Sequence, residues 1–460
     1  MRFPQFLHQH RLMGGVAVLA TTQFAASLAG LLRENVLARV FAGNLGVVDA
    51  YVAAFNPSDL IFQTCVVSAM GTVLVPVLAK YRAKSDHREV EKVLSGTIGM
   101  TAVLFGIVAL LLALFFPFLT PLFNIHFEGE TLELYVSFGR LALLSNFLFV
   151  FGNAYGQYLV AVERFWIYGI TPVLYSLGTV AGALWLTPFV GPFGPMYGTL
   201  LGAVIYVLFR MTAVHMHGCR LGISLWHPDL PEMAKLMLPR VLSLGALQLQ
   251  ILYLNGFASS LGSGAVTINA FTRNFQSVLV GVVGISVAQA VYSRMSHAVV
   301  ERDEKKLRFY FRYGTAVAFV LTVVGAIAMV LLAPFAAWLV HLSDYLPMFT
   351  VSLTIYAISI PFESITHIQY RVLYAMKDTV SAAIIGVCGG VVAITVGWFF
   401  LGRYGLYALP LGYVASEILQ AGSLAALLPW KTRRLMRVKI DPAKEIMEDV
   451  IEDSAHAINS

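Results

Sequence analysis

The chain is predicted to be an all-α polytopic membrane protein, with about 12 transmembrane helices in two six-helix lobes. Three observations predict it. Hydrophobic residues make up 58% of the 460 residues and charged residues only 12%, with a mean hydropathy of +0.75, whereas a soluble domain carries about 25% charged residues. Apolar stretches of roughly 20 residues, enough to cross a bilayer, recur along the chain. They also repeat about 214 residues apart: VPVLAKYRAKSDHREVEKVL from Val75 is matched by AQAVYSRMSHAVVERDEKKL from Ala288. FFPFLTPLF around Pro117 pairs with LAPFAAWLV around Pro334, YLVAVERF at Tyr158 with VLYAMKDT at Val372, and GPFG at Gly191 with GRYG at Gly402. Several matches in one order argue for a duplicated bundle, and a barrel is excluded because its strands would alternate.

In order, the spans are expected over residues 12–32, 50–78, 94–118, 133–160, 167–189 and 193–214, then 233–261, 265–293, 310–341, 346–374, 380–400 and 405–428. The first six form a lobe over 1–214 and the second six a lobe over 233–430. Residues 215–232 form a cytoplasmic linker, and 431–460 a basic segment followed by an acidic tail. A duplicated membrane protein of this kind is most often a transporter, because two similar halves can rock about a central site.

Lysine and arginine set the orientation. They crowd the connection after the second span (Lys80, Arg82, Lys84, Arg88, Lys92), the one after the eighth (Arg294, Arg302, Lys305, Lys306, Arg308, Arg312) and the segment KTRRLMRVK. NIHFEGETLE, FVGPFGP, SSLGSG and HLSDYLP, on the other side, carry none. Both termini of this multi-pass chain are therefore expected on the cytoplasmic side of its membrane. The net charge of +6 is accounted for by these loops and by anionic lipid headgroups against them, so no nucleic-acid partner is expected. Arg2 and Arg11 before an apolar run mimic a signal peptide, but cleavage would remove the first helix of the repeat, so retention is expected.

Cys65, Cys219 and Cys388 are scattered and odd in number, which implies no disulfide framework. His215 and His217 lack a nearby cysteine or acidic cluster, so no metal site is expected. There is no P-loop, no dinucleotide-binding glycine pattern and no nucleophile elbow, so no cofactor, no enzyme activity and no direct ATP drive are expected. The tail DPAKEIMEDVIEDSAHAINS is acidic, with Ile446, Val450 and Ile451 at helical spacing.

Polar residues inside spans carry the chemistry, since each is costly in hydrocarbon unless it faces a cavity or partner. Arg33 and Arg39 in LLRENVLARVFAGNLGVVDA lie on the side where most connections carry no cation, as expected if the first helix turns them into an internal cavity. Arg240 follows Pro239 near the start of span seven and Arg273 lies in span eight, among the amides Gln248, Gln250, Asn269, Asn274 and Gln276. A cationic interior suits an anionic substrate, because arginine holds phosphate bidentately. Glu363, His367 and Arg371 follow one another at i, i+4 and i+8 in span ten, a spacing that permits a charge relay or mutual neutralisation. Glu417 in span twelve is expected to pair with a neighbouring helix.

The stretch LLRENVLARVFAGNLGVVDAYVAAFNPSDL followed by VLVPVLAKY resembles the N-terminal signature of the MurJ (MviN) family of lipid II flippases. LMLPRVLSLGALQLQILYLNGFASSLGSGAVTINAFTRNFQSVLVGVVGIS resembles that family's seventh and eighth helices, and YAMKDT another of its motifs. The resemblance implies the fold of the multidrug/oligosaccharidyl-lipid/polysaccharide exporter superfamily, with two six-helix lobes forming a V in the bacterial inner membrane, and transport of a pyrophosphate-bearing lipid-linked saccharide from the inner to the outer leaflet. It implies cavity roles for Arg33, Arg39, Asp49 and Arg273. The chain departs from the family at Ser27, at Phe62 or Gln63, and at Gln276, where basic, basic and acidic residues stand in the family, and it has twelve spans where many members have fourteen.

The expected function is therefore a flippase for a polyprenyl-pyrophosphate-linked saccharide, the peptidoglycan precursor lipid II first among them, with cell-wall synthesis proteins as further partners. The expected site comprises Arg33, Arg39, Asp49, Arg240, Arg273 and Gln276. The alternatives are an O-antigen-type flippase, a drug/cation antiporter of the same superfamily, or a non-transporting scaffold for cell-wall enzymes.

Overall fold

The computed structural model describes residues 3–437 except 69, 71–73, 84–85, 220–221, 223 and 377. The acidic tail lies outside the described residues. Among the described residues there are helices and no strands. The first set comprises α1 (Phe3–Val40), α2 (Leu45–Ile61), α3 (Val75–Ala83), α4 (His87–Leu119), α5 (Gly129–Ala161), α6 (Phe165–Ala181), the short α7 (Thr187–Val190) and α8 (Gly194–Met216). The second comprises α9 (Leu230–Ser259), α10 (Ala265–Leu279), α11 (Ser286–Val300), α12 (Glu304–Leu331), α13 (Ala333–Leu339), α14 (Leu346–Ala375), α15 (Thr379–Tyr404) and α16 (Ala408–Arg437). Continuous apolar sequence makes these helices, because in hydrocarbon every backbone donor must be satisfied within its own segment.

The expected duplication is visible in backbone details. A π-helical stretch interrupts the second span of each set, at Phe62–Val67 and at Val280–Ile285. An aspartate caps the next helix in both: Asp86 accepts from the Glu89 amide at 3.1 Å and Asp303 from the Lys306 amide at 2.9 Å. The turn before the last span also repeats, but its second member is Gly405 and not Gly402. Gly191 and Gly405 have φ of 59° and 54° with ψ of −138° and −130°, a conformation essentially reserved for glycine, whereas Gly402 lies inside α15. The sequence match GPFG to GRYG is thus out of step by one helical turn.

Close packing in the first lobe depends on small residues. A Cβ on Gly178 would lie 2.6 Å from the Gly202 Cα, and one on Gly182 2.5 Å from the Gly198 Cα. Backbones of α6 and α8 therefore touch directly, the small-xxx-small contact of membrane helices. The outward surface carries large apolar side chains such as Phe118, Phe189, Trp398 and Phe399, as lipid contact requires.

A cation that sequence reading passed over sits inside this lobe. Arg210 is 2% exposed. Its Nε donates to Thr171 Oγ1 at 2.8 Å, Nη1 to the Gly152 carbonyl at 2.8 Å and Nη2 to the Tyr168 carbonyl at 2.7 Å. Its guanidinium also lies 4.2 Å from the Tyr206 ring centroid, a cation–π contact. No carboxylate is needed, because carbonyls and ring faces satisfy the charge. Arg210→Ala should destabilise the lobe by roughly 3 kcal/mol, from an unfilled volume plus orphaned acceptors, read as a lower thermal midpoint in detergent. Arg210→Lys should recover little, since an ammonium cannot reproduce the three-way fork.

The linker between the sets packs on the first lobe at the end that carries the basic connections, hereafter the basic end. Buried His227 places Nε2 3.1 Å from Glu89 Oε2, and Tyr81 donates to Asp229 Oδ2 at 2.8 Å. Hydrogen bonds from Lys92 and His227 hold the Glu89 carboxylate below its usual range. The bond to Asp229 pushes the Tyr81 phenol up to about 12, so it remains a neutral donor.

Candidate functional site

A cavity of about 330 Å³ lies between the two sets of helices. From the first lobe, α1 contributes Arg33 and Glu34, α2 contributes Asn56 and Asp59, and α5 and α6 contribute Asn146 and Tyr175. From the second, α9 contributes Asn255 and α10 contributes Arg273 and Asn274. The two arginines that line it thus come from opposite lobes.

Hydrogen bonds cross the cavity from one lobe to the other. Asn274 Nδ2 donates to Glu34 Oε1 at 2.5 Å, and Asn255 Nδ2 donates to Asn56 Oδ1 at 3.4 Å. The second contact continues as a ladder, with Asn269 donating to Asn255 at 2.9 Å and Tyr356 to Asn269 at 2.8 Å. Asp59 accepts from Asn146 at 2.8 Å. Arg33 Nη2 lies 4.0 Å from Glu34 Oε1. Arg33 Nε, Glu34 Oε2 and Asn56 Nδ2 are buried without a hydrogen-bond partner among the described residues. Buried polar atoms in this state are costly unless something else satisfies them, which marks this wall as a place where a polar ligand group gains most.

The sequence-derived residues divide sharply. Arg33 and Arg273 line the cavity. Arg39 is exposed in the last turn of α1, outside it. Arg240 falls on α9, but its side chain lies outside the described residues. Gln276 is fully buried and ties α10 to α14, donating to Ser359 Oγ at 3.2 Å and Glu363 Oε2 at 2.5 Å. Glu363 also accepts from the Tyr413 hydroxyl at 3.0 Å and lies 4.0 Å from His367 Nε2. Arg371 turns to the ring of Tyr292, 5.1 Å from its centroid, so the stripe is a Glu363–His367 pair with a separate arginine. Glu417 is buried and accepts from Gln420 on its own helix at 3.3 Å.

Asp49 serves as a cap. Its carboxylate accepts from the Gly264 amide at 2.5 Å, the Thr267 amide at 2.7 Å and the Thr267 hydroxyl at 2.6 Å. It therefore satisfies orphan donors at the start of α10 from the opposite lobe, a task usually done by a local residue. Nearby, the His126 amide donates to Ser259 Oγ at 2.9 Å and Asn35 Nδ2 donates to the Leu339 carbonyl. All of these contacts lie toward the end opposite the basic one. At the basic end, the linker is tied to the first lobe through His227 and Asp229. The two lobes are therefore clamped together at the end opposite the basic one.

Sequence reading missed the two acidic members of the wall, Glu34 and Asp59. Both were open to detection: Glu34 sits beside Arg33 in the stretch LLRENVLAR, and Asp59 lies within the second expected span, where an ionisable group is a functional candidate by default.

Comparison with known proteins places this geometry. The family model described as "Lipid II flippase MurJ" matches residues 37–449. The lipid II flippase MurJ of Burkholderia cenocepacia is 22% identical over 326 residues, covering 68% of this chain and 63% of that protein. The match thus spans less than two thirds of that relative's length. Among solved structures, a multidrug resistance MATE family transporter of the MOP superfamily in an inward-facing conformation superposes with a TM-score of 0.77 at 17% identity, over 91% of this chain and 99% of that one. A lipid II flippase MurJ in an inward closed conformation gives 0.76 at 19% identity, over 95% and 93%. These similarities establish the all-α polytopic transporter fold. With nearly the whole chain matched by the family model, the protein belongs to the MurJ lipid II flippase family.

Proposed function

We propose that this protein carries lipid II, or a closely related polyprenyl-pyrophosphate-linked saccharide, from the inner to the outer leaflet of a bacterial cytoplasmic membrane by alternating access. In this reading the basic end and both termini face the cytoplasm, and the clamped end faces outward. The observation that carries it is the pairing of Arg33 and Arg273, one from each lobe, across a cavity bordered by amides. A pyrophosphate bridging two guanidinium groups would pull the lobes together, and Asn146, Asn255 and Asn274 supply donors and acceptors for sugar hydroxyls. The decisive experiment is depletion in the native host. Accumulation of lipid II on the inner leaflet supports the assignment, and an unchanged pool of lipid-linked intermediates rejects it.

A second reading is favoured by Glu34 and Asp59. Carboxylates in the cavity suit an organic cation, as in a drug/cation antiporter. The two readings predict opposite charge requirements, which mutagenesis separates.

Energy would come from the membrane rather than from nucleotide, since the sequence holds no nucleotide-binding motif. A pyrophosphate neutralised by arginines makes loaded and empty carriers differ in charge, and each elementary charge moved through the field contributes about 2.3 kcal/mol per 100 mV. Collapsing the potential with an ionophore should slow flipping in reconstituted vesicles, while ATP should have no effect. Flipping that persists without potential or ion gradient, or that requires ATP, would reject this scheme. Glu363, held by Gln276 and Tyr413 beside His367, is the residue we assign to ion coupling. Glu363→Gln keeps a hydrogen-bonding side chain but loses the charge. It should leave substrate binding near the parent level while abolishing the response of flipping to an imposed pH gradient, and a variant that responds as the parent does would remove Glu363 from the mechanism.

A further inference from the structure

We propose that the second lobe binds an anionic phospholipid at its basic end, in a pocket formed by α12, α14 and α16. The pocket measures about 390 Å³ and shares no lining residue with the central cavity. Its floor is apolar, made of buried Leu307, Val372 and Leu428 with Phe311. Its rim carries Arg308, Arg312 and Arg433. Glu304, the one carboxylate in the lining, is 2.5 Å from Arg308 and occupies that guanidinium. Arg312 and Arg433 are exposed and make no ion pair among the described residues.

Two unneutralised guanidinium groups above an apolar floor fit an amphiphile whose charged part is a phosphate and whose remainder is hydrocarbon. A small soluble anion would use the rim and gain nothing from the floor. An apolar segment would use the floor and leave the cations without a partner.

The position of the pocket argues for the lipid independently. On α12 the stripe next to Arg308 and Arg312 carries Phe309 and Tyr313, both exposed and stacked with centroids 6.2 Å apart. On α16, exposed Trp430 holds the Arg434 guanidinium 5.6 Å above its ring. Exposed aromatics beside arginines at the end of a span are the composition of the membrane–water interface. Farther along α12, Phe319, Val320 and Val324 are exposed and apolar, as the hydrocarbon layer requires. The rim therefore stands at headgroup depth and the floor faces the upper acyl chains.

The test uses the full-length protein in phosphatidylcholine nanodiscs doped with phosphatidylglycerol, with bound lipid read by native mass spectrometry after release. The parent should retain phosphatidylglycerol over phosphatidylcholine by at least tenfold. The double variant Arg312→Gln, Arg433→Gln should bring the ratio near parity, and Ala425→Trp, which fills the floor while keeping the rim charges, should do the same. Both variants should keep the parent's thermal midpoint in pure phosphatidylcholine, which separates loss of the site from loss of the fold. Retention unchanged in both variants overturns the proposal. So does a preference that appears only when the chain is truncated after Arg437, because the pocket would then belong to the acidic segment around Glu445, Glu448 and Asp449.

Discussion

Reversing the charge of Arg33 or Arg273 should reduce transport by about 100-fold or more while the protein remains inserted and folded. Each arginine lines the cavity from its own lobe, and hydrogen bonds to a charged group contribute roughly 1.5–3 kcal/mol each. Loss of a bidentate contact therefore removes about 3 kcal/mol or more, which is a factor of roughly 100 in affinity. Arg33→Glu goes further, because the new carboxylate would stand beside Glu34 and near Asp59, and like charges at that spacing repel any phosphate. Arg33→Lys should fall between, keeping the charge and losing the fork. Binding of a labelled pyrophosphate lipid to detergent-purified variants, with the melting curve as a control for folding, reads the effect. If both reversed variants bind as the parent does, an anionic substrate is wrong. If instead Glu34→Gln and Asp59→Asn abolish binding of an organic cation while the arginine variants retain it, the antiporter reading takes its place.

The spacing of α1 explains why, of Arg33 and Arg39, only Arg33 belongs in that experiment. Arg33 and Arg39 are six residues apart, and at about 100° per residue their directions differ by about 240°. The two side chains therefore leave the helix about 120° apart by the shorter way round, so that with Arg33 on the cavity wall Arg39 is exposed outside it. Other features were legible for equally physical reasons. The twelve apolar stretches and their duplication follow from hydropathy and short matched segments, and the polar end of each hairpin follows from lysine and arginine. The π-helical interruptions at Phe62–Val67 and Val280–Ile285 were hidden, because an extra residue in a helical turn leaves no compositional trace. Arg210 was hidden for another reason: its partners are backbone carbonyls and aromatic faces, which every apolar span offers, so no matching carboxylate announces it. Asp49 carries a cavity role by resemblance to the family, yet its three donors come from a helix start more than 200 residues along the chain. Only the closed pairing of the lobes brings those donors to it.

That pairing leads to the second large effect. Asp49→Ala should unlatch the end opposite the basic one and shift the protein toward a state open there. The carboxylate accepts three hydrogen bonds from Gly264 and Thr267, and α10 has no side-chain cap of its own. Opening this end in the transport cycle requires all three to break together. With about 1.5–3 kcal/mol for each bond to a charged acceptor, partly offset as water solvates the freed groups, the net bias toward the clamped state is about 3 kcal/mol. Removing it changes the ratio of clamped to open states by roughly 100-fold. Asp49→Asn should show a smaller shift, since its amide oxygen still accepts. Spin labels at exposed Glu128 and Ser260, which sit on connections of opposite lobes at this end, should give one short distance in the parent and a longer, broader distribution in Asp49→Ala. Net flipping should fall with it, because a carrier that cannot reclose on this side cannot return to load. Distances identical to the parent would show that the contacts at Asn35, His126 and Ser259 hold the gate without Asp49, and that its three hydrogen bonds serve only to finish a helix.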